Sequence, residues 1–222
     1  MFNGFTDETF EFFMAIRFNN NRAFFLDNRD WYLRAVREPA LALADALAPA
    51  VEQLDDTLER RAHKVVSRIN RDLRFTRDKS PYRDYIWLAF RRPGVERATT
   101  LGVYFDISAT GGAYGMGFYN EHRPMMQALR QSLLDDPVPF LDAWRQARGQ
   151  FTLHPKAYKR MNIPDDLHPD AREWYALKGF YVEKELTDFS LLKSPALVHE
   201  IADGYAQLQP MYRFFQNLAP ID

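Results

Sequence analysis

Three strand-like segments follow one another in the middle of the chain without a helix between them, and helical patterns lie on both sides. Apolar alternation marks residues 84–91 and 99–108, and residues 113–119 complete a hairpin after a Gly-rich turn at 109–112. Parallel neighbours need a long crossover, so this succession predicts an antiparallel sheet. We therefore expect a single α+β domain over residues 1–222, with a central antiparallel sheet and the N- and C-terminal helices packed on it.

Caps, charges and apolar spacing predict the N-terminal helices. Thr6 is a candidate N-cap for the first helix, and Asp7 lies at its positive end. A second helical region covers about residues 22–54, and Pro39 and Pro49 should kink or split it.

Further along the chain the pattern is mixed. Residues 57–70 fit both helical and strand spacing, and periodicity alone leaves the two open. A last helix should begin at Ser194, with Pro210 disturbing it. The other predicted elements are helices at about 122–134 and 138–148 and short strands at 151–154 and 179–186.

Composition limits the kinds of site that the chain can hold. It has no cysteine, which excludes a disulfide framework, a thiolate metal site and a cysteine nucleophile. The first residues carry acidic side chains and no Lys or Arg, unlike a secretory signal or a transit peptide. The longest apolar run, residues 40–51, is too short to span a bilayer. We expect a soluble cytoplasmic protein without membrane contact.

Charge is unevenly distributed along the chain. Residues 1–59 have a net charge of −6, residues 60–92 of +8, and residues 93–222 of −3, for a total of −1. The near-neutral total argues against a protein that coats polyanions in general. Either the three blocks pair with one another in the fold, or the basic block forms an anion site, and the sequence leaves both open.

The densest polar stretch is residues 68–83, RINRDLRFTRDKSPYR. Arginine forks suit bidentate recognition of carboxylate or phosphate, and interleaved aspartates can hold the forks in place. The embedded Phe75, Pro81 and Tyr82 indicate a packed, shaped loop rather than a solvated charge run. Three interpretations stay open: a structural Arg–Asp network, a site for a small anionic ligand, and contact with nucleic acid.

The leading hypothesis is a small-molecule site, with or without catalysis, that recognises a phosphate or carboxylate group. The predicted ligand-binding residues are Arg68, Arg71, Arg74, Lys79, Asn21 and Arg22. The predicted catalytic residues are Asp72 and Asp78, which would orient the cations or serve as base, and Tyr82, which would donate a hydrogen bond. The alternative is a non-enzymatic interaction module whose basic face docks an acidic protein or nucleic acid. A concave pocket would favour the first, and a flat exposed face the second.

The same segment resembles the signature of a hypothetical-protein family of bacteria and fungi, domain of unknown function 2461, roughly R-x-x-RD-x-RF-x-x-DK-x-PY-K/R. The opening is also similar, with Asn20-Asn21-Arg22 after the first helix. A tryptophan often follows that element in the family, whereas this chain has phenylalanine. The resemblance covers most of the chain and implies no particular reaction. The motif positions that it carries over are Arg68, Arg71, Asp72, Arg74, Phe75, Asp78, Lys79, Pro81 and Tyr82. We expect the two family-like elements to converge in space.

Other groups of polar residues give weaker evidence for a site. The five histidines are scattered and none forms H-E-x-x-H, so no metal site is predicted, and no motif identifies a cofactor. Acidic flanks would repel a long polyanion, so a small anionic ligand ranks above DNA or RNA. The aromatic residues near the basic segment that could stack bases are Phe75, Tyr82, Tyr85, Trp87 and Phe90.

Overall fold

The computed structural model describes residues 1–74, 77–95, 100–118 and 120–220. Phe75 of the motif, and Thr99 and Tyr119 at the ends of predicted strands, lie outside these residues. The N-terminal helices are α1 (Asp7–Phe18), α2 (Arg22–Asp27), α3 (Arg29–Tyr32), a π-helical turn (Leu33–Arg37), α4 (Glu38–Leu54) and α5 (Ala62–Val65).

The predicted helical region at 22–54 is divided differently from the expectation. The breaks fall at Asn28 and at the π-helical turn, whereas Pro39 lies in the first turn of α4 and Pro49 inside it. A proline is tolerated in a first turn because that position needs no N–H donor. The stripe of buried side chains from Leu43 to Leu54 keeps α4 helical beyond Pro49.

Five strands form one antiparallel sheet, which confirms the predicted α+β class with helices at both ends. The strands are β1 (Tyr85–Arg91), β2 (Leu101–Ser108), β3 (Gly111–Phe118), β4 (Thr152–Ala157) and β5 (Leu177–Leu186), in the order β1-β2-β3-β5-β4. The predicted turn at 109–112 is shorter than expected, because Gly111 and Gly112 belong to β3. A Cβ on Gly112 would lie 2.7 Å from the Asp106 carbonyl oxygen, so the hairpin strands approach closely there.

The C-terminal helices are α6 (Arg123–Asp135), α7 (Val138–Ala147), a 3₁₀ turn (Pro169–Ala171), α8 (Arg172–Tyr175), α9 (Phe189–Leu192) and α10 (Leu197–Asn217). The last helix, α10, continues through Pro210, so this proline does not end it, and the expected disturbance of the helix stays a prediction. One proline removes one backbone donor, while Met211, Tyr212 and Phe215 after it are buried and stabilise the continuing helix.

The chain divides into two compact units. The first contains Met1–Phe90, Tyr104–Tyr114 and Glu185–Asp203, and the second contains Arg91–Val103, Gly115–Lys184 and Gly204–Asp222. Both have aromatic cores: Phe5 stacks on Phe105 in the first, and Phe180 lies between Trp174 and Phe215 in the second. The organisation as a single domain stays a prediction.

The ambiguous stretch at 57–70 contains both kinds of structure. After α5 the chain extends and runs antiparallel to β1, with bridges pairing Val66 to Leu88 and Asn70 to Tyr82. This extended segment leads directly into the arginine-rich motif, so the motif is anchored to the first strand of the sheet.

Candidate functional site

The turn after α1 and the arginine-rich motif lie side by side, although they are 62 residues apart in the sequence. The Asn20 side chain donates to the Tyr82 carbonyl at 2.9 Å and accepts from the Tyr82 N–H at 3.0 Å. Phe25 of α2 stacks on the Tyr82 ring, with centroids 4.3 Å apart. The Asn20 side chain therefore bonds both backbone groups of Tyr82, as a neighbouring strand would, and it joins the two family-like elements.

A short backbone ladder closes the motif into a loop. Arg71 N–H donates to the Pro81 carbonyl at 2.9 Å, and Arg83 N–H donates to the Ile69 carbonyl at 2.8 Å. Residues 72–80 lie between these two pairings, and the charged side chains of the motif are concentrated there.

Three cations of the motif have partners, whereas the exposed Arg77 of the loop has no hydrogen bond or ion pair with the described residues. Arg74 binds Asp72 through Nε at 3.0 Å and Nη2 at 2.6 Å, Arg71 pairs with Asp78, and the Lys79 ammonium donates to the Leu73 carbonyl at 3.0 Å. The predicted orienting role of the aspartates thus matches their contacts, while the anion-binding roles of these cations stay predictions.

Both loop carboxylates are held in their ionised form. Hydrogen bonds from Arg74 lower the pKa of Asp72 to about 2, and hydrogen bonds from Ser80 together with the Arg71 pair lower the pKa of Asp78. A carboxylate with so low a pKa is a weak base at neutral pH. For Asp72, the low pKa argues against the predicted role as base, and the roles of both aspartates stay predictions.

Two predicted residues have local structural contacts. Asn21 caps α2, its side-chain oxygen accepting from the Phe24 N–H at 2.9 Å. Tyr82 is only 5 % exposed and packs on Phe25. Their roles toward a ligand stay predictions.

Arg83 has the most constrained guanidinium in this part of the structure, and it was not among the predicted site residues. Its Nη1 donates to the carbonyls of Arg68 and Asn70 at 2.7 and 2.5 Å, and its Cζ lies 4.6 Å from the centre of the Trp87 ring. Within the described residues, its Nε and Nη2 donate to no acceptor and it has no ion pair within 4 Å, although its charge is close enough to help lower the pKa of Asp72. The sequence signal was the four-residue spacing of Arg83 and Trp87: Arg83 lies just before β1, and an extended chain carries residues four apart on the same side.

Arg22 and Arg68 are exposed, and neither side chain has a hydrogen bond or ion pair with the part of the chain that the structure describes. Arg22 lies three residues before Phe25 on α2, a spacing that puts both on the same side of the helix. The Arg68 carbonyl accepts a hydrogen bond from the Arg83 guanidinium. Of these two unpaired cations, Arg68 therefore has its backbone next to the Arg83 guanidinium.

Other candidates are structural by their contacts. His122 caps α6, its Nδ1 accepting from the Met125 N–H at 3.3 Å, and burial lowers its pKa. His168 caps the 3₁₀ turn. Among the described residues, no group of His, Asp and Glu could hold a metal ion, and none of their helices is long and apolar enough to cross a membrane.

Together these features describe an α+β protein with an arginine-rich surface beside the first strand of its sheet. The model of the family described as conserved hypothetical protein (DUF2461) matches residues 8–214. This match covers nearly the whole chain, so the chain belongs to that family, as the resemblance predicted. A search of the curated proteins found no match.

Proposed function

We propose that this protein binds a small ligand through a phosphate or carboxylate group, held by Arg83 and Arg68. The observation that carries the proposal is the Arg83 guanidinium, fixed on one edge by two carbonyls and on its face by Trp87, with Nε and Nη2 still available. A guanidinium presents its donors in a planar fork that matches carboxylate and phosphate oxygens.

Preorganisation supports this assignment of Arg83. A flexible arginine loses side-chain entropy when it binds, whereas Arg83 is already held in one orientation by its own fold. Arg68 supplies a second charge from an exposed side chain. We assign Asp72 and Asp78 the role of neutralising Arg74 and Arg71, which stabilises the loop beside the anion.

A second candidate function is docking of an acidic protein or nucleic acid by the same surface. The observation that favours it is the exposure of the cations. Two surface cavities, one beside α6 and one beside Tyr85, are lined neither by Arg68 or Arg83 nor by the loop cations. The two functions differ in what they require: a docking face needs many dispersed charges, whereas an anion site depends on Arg83 and Arg68.

The test is thermal unfolding with inorganic phosphate and with citrate, against sodium chloride at equal ionic strength. A ligand at 100 times its Kd stabilises by about 2.7 kcal/mol, which in a chain of this size raises Tm by about 5–11 °C. We expect Arg68→Ala and Arg83→Lys to lose most of this increase, because the first removes a charge and the second removes the fork.

Arg148→Ala is the matched control, since Arg148 is an exposed arginine at the end of α7 in the second unit. It should keep the full increase, which separates binding from the general stabilising effect of phosphate and citrate. If neither anion raises Tm of the wild type more than that of Arg68→Ala, the anion-site proposal is wrong. Tight binding of a polyanion at physiological salt would then favour the docking function.

A further inference from the structure

We infer that the anion bound at Arg83 belongs to a single nucleotide, whose base stacks on the open face of β1 at Tyr85 and Trp87. This inference rests on the proposed function and names its ligand class. It comes from the position of two aromatic rings beside a guanidinium that is fixed in place.

The alternation of β1 separates a buried face from an open one. Ile86, Leu88 and Phe90 are each 0 % exposed, whereas Tyr85 is 38 % exposed and Trp87 is half-buried. The Tyr85 and Trp87 rings lie 5.8 Å apart with an interplanar angle of 33°. Nucleobases stack on such rings because every base has a π-face, and the interaction needs no base-specific hydrogen bond.

The rings and the anion site are continuous. The Arg83 guanidinium lies against the Trp87 ring at 4.6 Å, and Tyr85 contacts the same tryptophan. A ligand with a phosphate on the free edge of Arg83 would bring an attached ring to these aromatic side chains. Inorganic phosphate would leave them unused.

Among the described residues, burial favours one nucleotide over a strand. Two aromatic residues that could have stacked bases, Tyr82 and Phe90, are buried at 5 % and 0 % exposure. Two rings and one fixed guanidinium match one base and one phosphate.

The surroundings of Tyr85 also offer hydrogen-bond acceptors to a ribose. Tyr85 borders a cavity of about 280 Å³ whose lining includes Asp84, Asp106 and Ser108, together with the cation Arg17. Asp84 is paired with Arg17 at 3.3 Å. Carboxylate and hydroxyl oxygens accept hydrogen bonds from ribose hydroxyls, whereas carboxylates repel a continuing phosphate backbone.

The experiment is isothermal titration of the full chain with four probes: inorganic phosphate, ribose 5-phosphate, adenosine monophosphate and a ten-residue oligouridylate. We expect adenosine monophosphate to bind about tenfold more tightly than ribose 5-phosphate, the effect of stacking one base. Tyr85→Leu should remove that tenfold gain and leave the Kd of inorganic phosphate unchanged. Tyr85→Phe keeps the ring and should restore the gain.

Two controls separate the outcomes. Tyr175→Ala, which removes a half-buried aromatic side chain of α8 in the second unit, should change none of the four affinities. Arg68→Ala should weaken all the phosphate compounds together. Phosphate binding without a gain from the base overturns the nucleotide inference and leaves the proposed function standing, whereas binding of no phosphate compound overturns both. Oligouridylate binding ten times more tightly than the mononucleotide would instead identify single-stranded nucleic acid as the ligand.

Discussion

Asn20 joins the N-terminal turn to the arginine-rich motif, and its replacement tests that junction. Its amide donates to the Tyr82 carbonyl at 2.9 Å and accepts from the Tyr82 N–H at 3.0 Å. In Asn20→Ala both backbone groups lose their partner beside a residue that is 5 % exposed. A net hydrogen bond contributes about 1 kcal/mol, and a buried group left unsatisfied costs about 1–3 kcal/mol.

We therefore expect Asn20→Ala to lower the free energy of unfolding by about 2–3 kcal/mol. In a chain of this length that corresponds to a Tm lower by about 4–12 °C. Asn20→Asp should cost about as much, because it keeps the acceptor but places a carboxylate oxygen against the Tyr82 carbonyl. The measurement is urea unfolding followed by far-UV circular dichroism, with the m-value checked for constancy.

Asn19→Ala is the matched control one position earlier. Asn19 donates one exposed hydrogen bond to the Ala15 carbonyl at 3.1 Å, so its loss should cost about 0.5 kcal/mol. If the unfolding free energies of Asn20→Ala and Asn19→Ala agree within about 0.5 kcal/mol, the amide does not hold the two elements together and this reasoning fails.

Three further predictions concern other parts of the chain. Gly115→Ala should lower the free energy of unfolding by about 3 kcal/mol, because its Cβ would lie 1.8 Å from a β5 carbonyl oxygen. In Gly149→Ala the new Cβ would have no atom within 4 Å, so the free energy of unfolding should change by about 0.5 kcal/mol or less. Equal changes in the two variants would refute the close approach at Gly115. Burial lowers the folded-state pKa of His122, so the contribution of this residue to stability is present above its unfolded pKa of about 6.5 and is lost as pH falls through the folded value. Urea unfolding at pH 7.5 and at pH 5.5 should show a smaller loss of unfolding free energy in His122→Asn, which keeps a cap, than in the wild type. Arg71→Ala should lower the free energy of unfolding by only about 1 kcal/mol or less in chemical denaturation, because the Asp78 side chain is 52 % exposed. Lys79→Ala should lower it by no more than that. A loss above about 3 kcal/mol for Arg71→Ala would mean that the Arg71–Asp78 pair is buried.

Where a structural cause lies within a few residues, the sequence was sufficient to predict it. The first helix begins after Thr6 with Asp7 and Glu8 in its first turn, and alternation placed β1 correctly because a strand exposes every second residue. Proline positions were a poor guide to where the helical region at 22–54 divides, and they do not end α4 or α10. A proline removes one donor locally, while the burial that keeps these helices continuous comes from other parts of the chain.

The candidate site shows the same division. The motif pattern identified a charged loop, and the pairing of Asp72 with Arg74 follows from a separation of two residues. The roles of Arg83 and Asn20 could not be predicted in this way. Arg83 looks like one more cation until the fold places two carbonyls and an indole around it, and the partner of Asn20 is 62 residues away.

The sequence by itself determined the α+β class, the order of helices and strands in the middle of the chain, and the family to which the chain belongs. Only the tertiary structure decided which arginines are already paired and which retain available donors. The physical reason is range: propensity, capping and alternation act between neighbours along the chain, whereas a guanidinium's remaining donors depend on every group that folding brings within hydrogen-bond distance. The tertiary structure also decided that Tyr85 and Trp87 lie near Arg83 on the open face of β1, because packing buries the opposite face of that strand.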